Sequence, residues 1–395
     1  MTSVGGPPSD VRGVPWQRAR HLAHAAARPL GAVDLPLDLA AGLTLARELV
    51  TRTALPAFDT SAMDGFGVAG PGPWRIRGTV RAGTVWTGGP LRPGEAVAIS
   101  TGACVPPGAD SVLPVEVAER AGDLLTGPDP RPGGHIRRLG EDAAAGTVLA
   151  PPGTPAGPAL LGLAATCGHD TLRVRPRPGV RLLVTGDELV RAGEPGPGRI
   201  RDALGPSLPS LVTGLGGEPL SVHEVEDAPG NALAEAVEGA GEAQVIVVTG
   251  STSVGTTDAL RRLLHDHEAR WIVDTVACRP GHPQLLAELP DGRLLLGLPG
   301  NPYAALVAAH TLLAPLLAGL AGRGLPALPM LPLTGEVPVT PGRTRLLPVV
   351  WAGAAARVLG GHGAAFLNGA ALADALAAVP PGWNREDPVP LIVLR

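Results

Sequence analysis

Apolar residues in the second half of the chain gather in short unbroken runs, and each run stops at a turn of glycine with threonine, an acid or asparagine. "VRLLV" leads into "TGDEL", "VIVV" into "TGSTSVGTTD", and "RLLLG" into "LPGNP". Runs this short, without polar alternation, predict strands buried on both faces. Between them, "GNALAEAVEGA", "DALRRLLHDH" and the residues from Ser207 to Leu215 carry the spacing of helices. Strands "PLSVHEV" and "WIVDTVA" extend the alternation, which predicts an α/β domain with a parallel, doubly covered sheet. Ligands of such sheets bind beyond the carboxyl ends of the strands, where the three turns fall.

The first half reads differently. "WQRARHLAHAAAR", Trp16 to Arg28, predicts a helix with Ala and Leu on one side and Arg on the other. From Leu49 to Arg138, runs such as "WRIRGTV", "EAVAIS" and "DSVLPVEVAE" between Gly and Pro turns predict an all-β module. Gly146 to Val174 reads as strand, Pro-rich turn, helix and strand, and Pro176 to Gly179 as a linker. After "GRGLPALP", a Pro-rich hinge, the tail returns to short strands in "RLLPVVW", "RVLGG" and "PVPLIVL". Pro302 to Gly322 is apolar over a membrane-spanning length, but His310 and Pro315 interrupt it and a compact turn precedes it. It is expected to be a buried helix of a soluble protein.

At 395 residues and 45% hydrophobic, the chain has room for two to four domains with real cores, although Gly (55) and Pro (44) make up about a quarter of it. All 32 basic residues counted as Lys or Arg are Arg, and the net charge is −4. No Arg run forms a basic patch, so nucleic acid is excluded as a partner. Cys104, Cys167 and Cys278 show no CxxC spacing and cannot all pair internally, which argues against a zinc cluster and for a reducing cytoplasm. The N-terminal residues carry no signal-peptide pattern, so the chain is expected to remain unprocessed.

Glycine at the strand ends lets backbone N–H groups approach a ligand, and hydroxyls with a helix N-terminus favour a phosphate. Taken singly, each turn serves equally as a capped strand-to-helix connection. "TGSTSVG" matches neither the P-loop nor GxGxxG, and no nucleophile elbow or Cys–His pairing appears. Several acids near these cradles suggest instead a hydrated divalent cation at a phosphate. Elsewhere, "PAFDTSAMDGFGV" offers Asp64, "STGACVPPGADSVLPVE" offers Thr101 and Glu116, and "RRLGEDAAAG" offers Arg137, Glu141 and Asp142, although Asp64 suits a surface Asp-Gly turn equally and either acid of the last pair a solvated loop.

Taken in order, "SAMDGF", "TGACVPPGADSVLPVE", "RRLGED", "VTGDEL", "TGSTSVGTTD", "RPGHP" and "LPGNP" closely resemble the molybdopterin molybdenumtransferase family, to which the E domain of gephyrin belongs. The resemblance implies an elongated, dimeric subunit of four parts. These are a discontinuous N-terminal domain (8–48 and 139–176), an inserted β domain (49–138), a molybdopterin-binding α/β domain (177–325) and a C-terminal β-barrel-like domain (326–395). It implies cytoplasmic insertion of molybdate into adenylylated molybdopterin, with Mg²⁺ and release of AMP. Asp64, Thr101, Asp142, Glu188, Asp227 and Asp258 would form the catalytic cleft, Glu188, Asp227 and Asp258 holding the metal. Gly250, Ser251, Ser253, Gly255, Arg279 and His282 would bind substrate, joined by Pro299, Gly300, Asn301, Pro302 and Arg343.

Several positions depart from the family pattern. Ser251 replaces the second glycine of a pair, Thr256 an acid, and Ala203-Leu204 a Ser-Asn pair. Arg279 and His282 stand where the family has two lysines, and "GHGA" replaces "GQGS". Arg279 keeps a permanent cation, whereas a histidine carries charge only when protonated. An active enzyme is the reading that the matching acids favour. The alternative is a non-catalytic relative that binds molybdopterin or finished cofactor as carrier or regulator.

Overall fold

A computed structural model of the chain describes residues 9–226, 231–250, 256–361 and 363–394. Among these, residues 9–33, 42–46 and 174–394 form one compact unit, and residues 34–41 and 47–173 form another.

The smaller unit is built on a six-stranded sheet in which Gly65–Ala69, buried throughout, pairs antiparallel with Glu95–Ile99 on one side and Ser111–Pro114 on the other. Trp74–Val80 lies beyond Glu95–Ile99 and runs parallel to it. Phe66, Val68, Trp74 and Leu113 pack on one face, while Val80, Val97, Ile99 and Val112 pack on the other. The period-2 alternation of these short strands thus supplies two small cores. Thr60–Ser61 pairs with Ile136–Arg137 as a separate ribbon.

In the larger unit, Glu218–Val225, Gly179–Thr185, Val245–Val248 and Leu294–Gly297 lie side by side and parallel. All four residues of "VIVV" are buried. Val245 and Val247 face a core shared with Leu182, Leu208 and Leu317, whereas Ile246 and Val248 face Leu183, Leu260 and Leu264. Helices on both sides therefore exclude water from the strands, which is why their pattern does not alternate.

The sheet does not stay parallel. Leu285–Glu288, a strand that "QLLAEL" does not announce, pairs antiparallel with both Leu294–Gly297 and Arg270–Arg279. Arg270–Arg279 in turn pairs parallel with Thr344–Ala352 of the tail, and Ala375–Val379 and Val389–Val393 continue the sheet. The tail's strands are thereby hydrogen-bonded into the sheet that carries the strand-end turns.

The segment Pro302–Leu320 is apolar enough to cross a membrane by length and composition, but 89% of its most apolar window is buried. It is a core helix, with a π turn at Ala309–Leu313 just before Pro315. Proline has no N–H for the carbonyl four residues back, so the ladder is interrupted there. The helix Trp16–Ala26 packs beside it and corrects one expectation, because Arg20 lies on the buried side rather than with the outer arginines. Arg20 Nη1 donates to His310 O (3.2 Å) and its guanidinium lies 5.3 Å from the Trp16 ring centre. Burial pulls the Arg20 pKa down to about 10, so it stays charged; burial, then the Arg20 charge, pushes His310 down to about 4, so it is neutral at physiological pH.

Trp16 Nε1 donates to Thr311 Oγ1 (3.0 Å), and both residues are fully buried. Thr311→Val keeps the volume but strands the indole N–H in an apolar core, at a cost of about 1–3 kcal/mol. A lowered urea midpoint, with the far-UV spectrum unchanged, is the expected observation.

Candidate functional site

Three parallel strands end next to one another in the larger unit. Thr249 N–H donates to Leu183 O (2.9 Å) and Leu298 N–H to Val248 O (2.8 Å), which aligns the turns after Thr185, Val248 and Gly297. Buried Thr185 Oγ1 donates to Thr249 O (2.7 Å), and Thr185 N–H reaches Thr249 Oγ1 (3.3 Å). The first two strand ends are therefore locked as a pair. Gly250 follows at φ +74°, where a Cβ would lie 2.5 Å from Thr185 Oγ1 and 3.0 Å from Thr185 O. Only glycine fits that approach.

A cavity of about 430 Å³ opens over these ends, lined by Thr185, Glu188, Asp202, Gly250, Asn301 and Pro302 among others. Glu188 is exposed, on the turn whose carbonyl accepts the Ile200 N–H (2.8 Å). Asp202 Oδ1 accepts the N–H groups of Leu204 (2.9 Å) and Gly205 (3.0 Å) at the start of the helix Leu204–Gly214. Asn301 precedes Pro302, the first residue of the core helix, and its side chain makes no capping bond. The cavity thus combines two carboxylates, an uncommitted amide and the N-terminal ends of two helices.

A second cavity, about 290 Å³, lies on the other side of the "LPGNP" turn, with Asn301 lining both. Arg279, His282, Arg343 and Arg345 line it, and no carboxylate does so among the described residues. Pairing of Arg279 with Arg345 across two strands, together with the position of Arg343 two residues earlier, gathers the three guanidinium groups. His282 Nδ1 contacts Val276 O at 2.7 Å. A carbonyl only accepts, so Nδ1 carries a proton, and Nε2 is a bare lone pair unless a second proton binds. Cys278 is buried at the same cavity, and burial raises its thiol pKa to about 12, which makes it no nucleophile.

In the smaller unit, Thr101 N–H donates to Asp64 Oδ1 (2.8 Å), and both residues are exposed. Gly65 makes the turn possible, since a Cβ there would strike Leu113 O at 2.1 Å. The Asp142 N–H is held by Leu55 O (2.9 Å), and no described contact joins its carboxylate to the Asp64–Thr101 pair. Glu116, Arg137 and Glu141 are not joined to that pair either, Glu141 Oε2 instead accepting the Arg138 N–H (2.7 Å).

Asp59, which the sequence reading passed over, accepts from Leu139 N–H (2.8 Å) and Arg138 Nη1 (2.7 Å). The Leu139 N–H first, then Arg138, hold its carboxyl below the usual aspartate range. A lowered folded pKa means that the clamp contributes stability above the unfolded aspartate value and loses it as pH falls through the lowered one. Relative to the intrinsic rate at each pH, exchange of the Leu139 amide should be slow at neutral pH and lose that protection on acidification through that window. In Asp59→Asn it should be faster at neutral pH and lose the acid transition.

Asp227, Ser251, Ser253 and Gly255 lie outside the described residues, and Asp258 is placed only as part of the helix Thr256–Asp266, its side chain not being described. The structure gathers Glu188, Gly250, Gly300, Asn301 and Pro302 at one cavity and Arg279, His282, Pro299 and Arg343 at the other. Sequence reasoning missed Asp202 and Arg345 at these cavities. Asp202 was visible only as the residue before a departure, and Arg345 as a polar residue in a strand.

Comparison with known proteins places the same regions. Residues 14–168 match the MoeA N-terminal region (domain I and II), and residues 181–319 match a probable molybdopterin binding domain. Molybdopterin molybdenumtransferase 2 of Mycobacterium tuberculosis is 34% identical over 304 residues, covering 72% of this chain and 74% of the relative. The molybdopterin molybdenumtransferase of Synechococcus elongatus is 35% identical over 312 residues, covering 75% and 77%. The crystal structure of a molybdopterin biosynthesis moeA protein from Pyrococcus horikoshii superposes with a TM-score of 0.76 at 27% identity, covering 97% of this chain and all of that one. With identity above 30% across more than two thirds of its length, the chain belongs to the molybdopterin molybdenumtransferase family.

Proposed function

We propose that this protein is a molybdopterin molybdenumtransferase, which inserts molybdate into adenylylated molybdopterin with release of AMP. The observation that carries the proposal is the pair of cavities that share Asn301, one lined by carboxylates and helix starts, the other by guanidinium groups with no acid among the described residues. Molybdate is a tetrahedral dianion, and the arginine cavity has the charge to hold it. The phosphate end of the pterin substrate suits the strand-end cavity, where the Gly250 turn brings backbone close. Asn301 would then set the distance between the two reactants, which is where proximity lowers a barrier.

Mg²⁺ is usually held by one or two carboxylates completed by substrate phosphates. Glu188 and Asp202, whose Oδ1 alone is committed to backbone N–H groups, fit that requirement, and Asp227 and Asp258 are further candidates. A bound cation offsets phosphate charge and polarises the phosphoanhydride. Glu188 would help to hold the cation beside the phosphate end, Arg279 and Arg343 would orient the oxyanion, and His282 would add a cation when protonated.

Further parts of the proposal rest on the family. The Asp64–Thr101 pair is assigned to the same cleft across a homodimer, with Asp142 on its rim. The four-part domain division is retained, and the cytoplasm is the compartment that three free cysteines suit. Leu204 and Ala203 in the strand-end cavity, with Ala364 in the other, favour a second reading, a carrier that binds pterin without turning it over.

Purified protein incubated with adenylylated molybdopterin and Mg²⁺ decides between them. Molybdate-dependent release of AMP supports the transferase, whereas tight binding without release supports the carrier.

A further inference from the structure

Arg279 and Arg345 stand opposite each other in the parallel ladder between Arg270–Arg279 and Thr344–Ala352. Like charges in register across two strands repel. Arg343 precedes Arg345 by two residues, which in an extended chain puts both side chains on one side. All three line the same cavity, and no carboxylate among the described residues forms an ion pair with any of them. Arg345 Nε is, in addition, buried without an acceptor. Burial, and then the charge of Arg279, lower the Arg345 pKa, which reports the same crowding of cations. A buried donor left open and a like-charge pair in register both cost stability, so the arrangement calls for an anion that completes it.

We infer that Arg345 is the charge-selecting residue of this pocket, the third guanidinium that makes it prefer a tetrahedral dianion to a monoanion of the same shape. The inference rests on the assignment of the pocket to molybdate and deepens it. Coulomb energy scales with the product of the charges, so each cation acts on a dianion with twice the energy it exerts on a monoanion. Removing one cation should therefore reduce dianion affinity by about the square of the factor lost for the monoanion. Two fixed cations and a histidine would still bind both anions; the third sets the preference.

Calorimetric titration of the full-length protein with molybdate and with perrhenate, a tetrahedral monoanion, tests this. In Arg345→Met, molybdate affinity is expected to fall about 25-fold and perrhenate affinity about 5-fold, by that squared relation. Arg345→Lys, which restores the charge without the fork, should recover most of the molybdate preference. Without added anion, Arg345→Met should melt at or above the wild-type temperature, because a repulsion has been removed. Equal losses for both anions, or a lowered melting temperature with no recovery in Arg345→Lys, would overturn the inference in favour of a packing role.

The assay of AMP release reads the functional proposal separately. Wild-type release that depends on molybdate, combined with unchanged anion binding in Arg345→Met, overturns the role of Arg345 and leaves the transferase standing. Absence of release, combined with the selective loss in Arg345→Met, removes the transferase and supports the anion pocket.

Discussion

Glu188→Gln is expected to lower kcat for AMP release by about 10²–10³-fold, the range found when one preorganised electrostatic group is removed from an active site. The side chain is exposed on the turn after Gly179–Thr185 and lines the strand-end cavity. Glutamine preserves its size and one acceptor oxygen but removes the charge that, in the proposed function, would hold a cation and its phosphates. Because little of the fold leans on an exposed side chain, stability should change by less than about 0.5 kcal/mol. The diagnostic outcome is a large fall in kcat and weakened pterin binding, with the thermal midpoint nearly unchanged. A kcat within a few-fold of wild type would remove Glu188 from the chemistry.

Gly250→Ala should act by the opposite route, through the frame rather than the charge. The residue sits at φ +74°, and the new Cβ would meet Thr185 Oγ1 at 2.5 Å and the Thr185 carbonyl at 3.0 Å. A left-handed conformation costs an alanine about 1–2 kcal/mol. Displacing Thr185 also breaks its buried bond to Thr249 O, at about 1–3 kcal/mol. Since the terms overlap, the expected loss of stability is about 2–4 kcal/mol, accompanied by loss of pterin binding as the two strand ends separate. Gly300→Ala is the control, because a Cβ there makes only ordinary contact with Gly250 Cα at 3.5 Å. It should be nearly neutral for stability, and equal damage from both substitutions would mean that the Thr185–Thr249 lock is not what holds the site.

The strand-end cavity was legible in the sequence because it depends on local signals. Each buried strand announces itself by an unbroken apolar run, and each turn by glycine with small polar residues, so adjacency at one sheet edge follows from topology. The arginine cavity depends on pairing between segments far apart in the chain. Arg345 comes to Arg279 only through the ladder between Arg270–Arg279 and Thr344–Ala352, and no periodicity within either segment encodes that register. Leu285–Glu288 was missed for a different reason: turn residues bound it on both sides, in "PGHP" and "PDG", but four residues are too few to tell a strand from a helix fragment. Arg20 misled by its type. Arginine reads as surface, yet here an indole face and a main-chain carbonyl receive it inside the core. Asp64 and Thr101 lie 37 residues apart, and only the family resemblance set them side by side in the sequence; in the structure the Thr101 N–H donates to Asp64 Oδ1, a contact that no local pattern encodes.

If the two cavities sharing Asn301 are the two halves of one active site, molybdate binds in the arginine-lined one, and locating the anion is the most direct test. Crystals soaked with molybdate, with diffraction recorded at the molybdenum absorption edge, should show an anomalous peak among the Arg279, Arg343 and Arg345 side chains, against the Asn301 wall. A peak elsewhere, or none in that pocket at concentrations that saturate the protein in solution, would contradict the account.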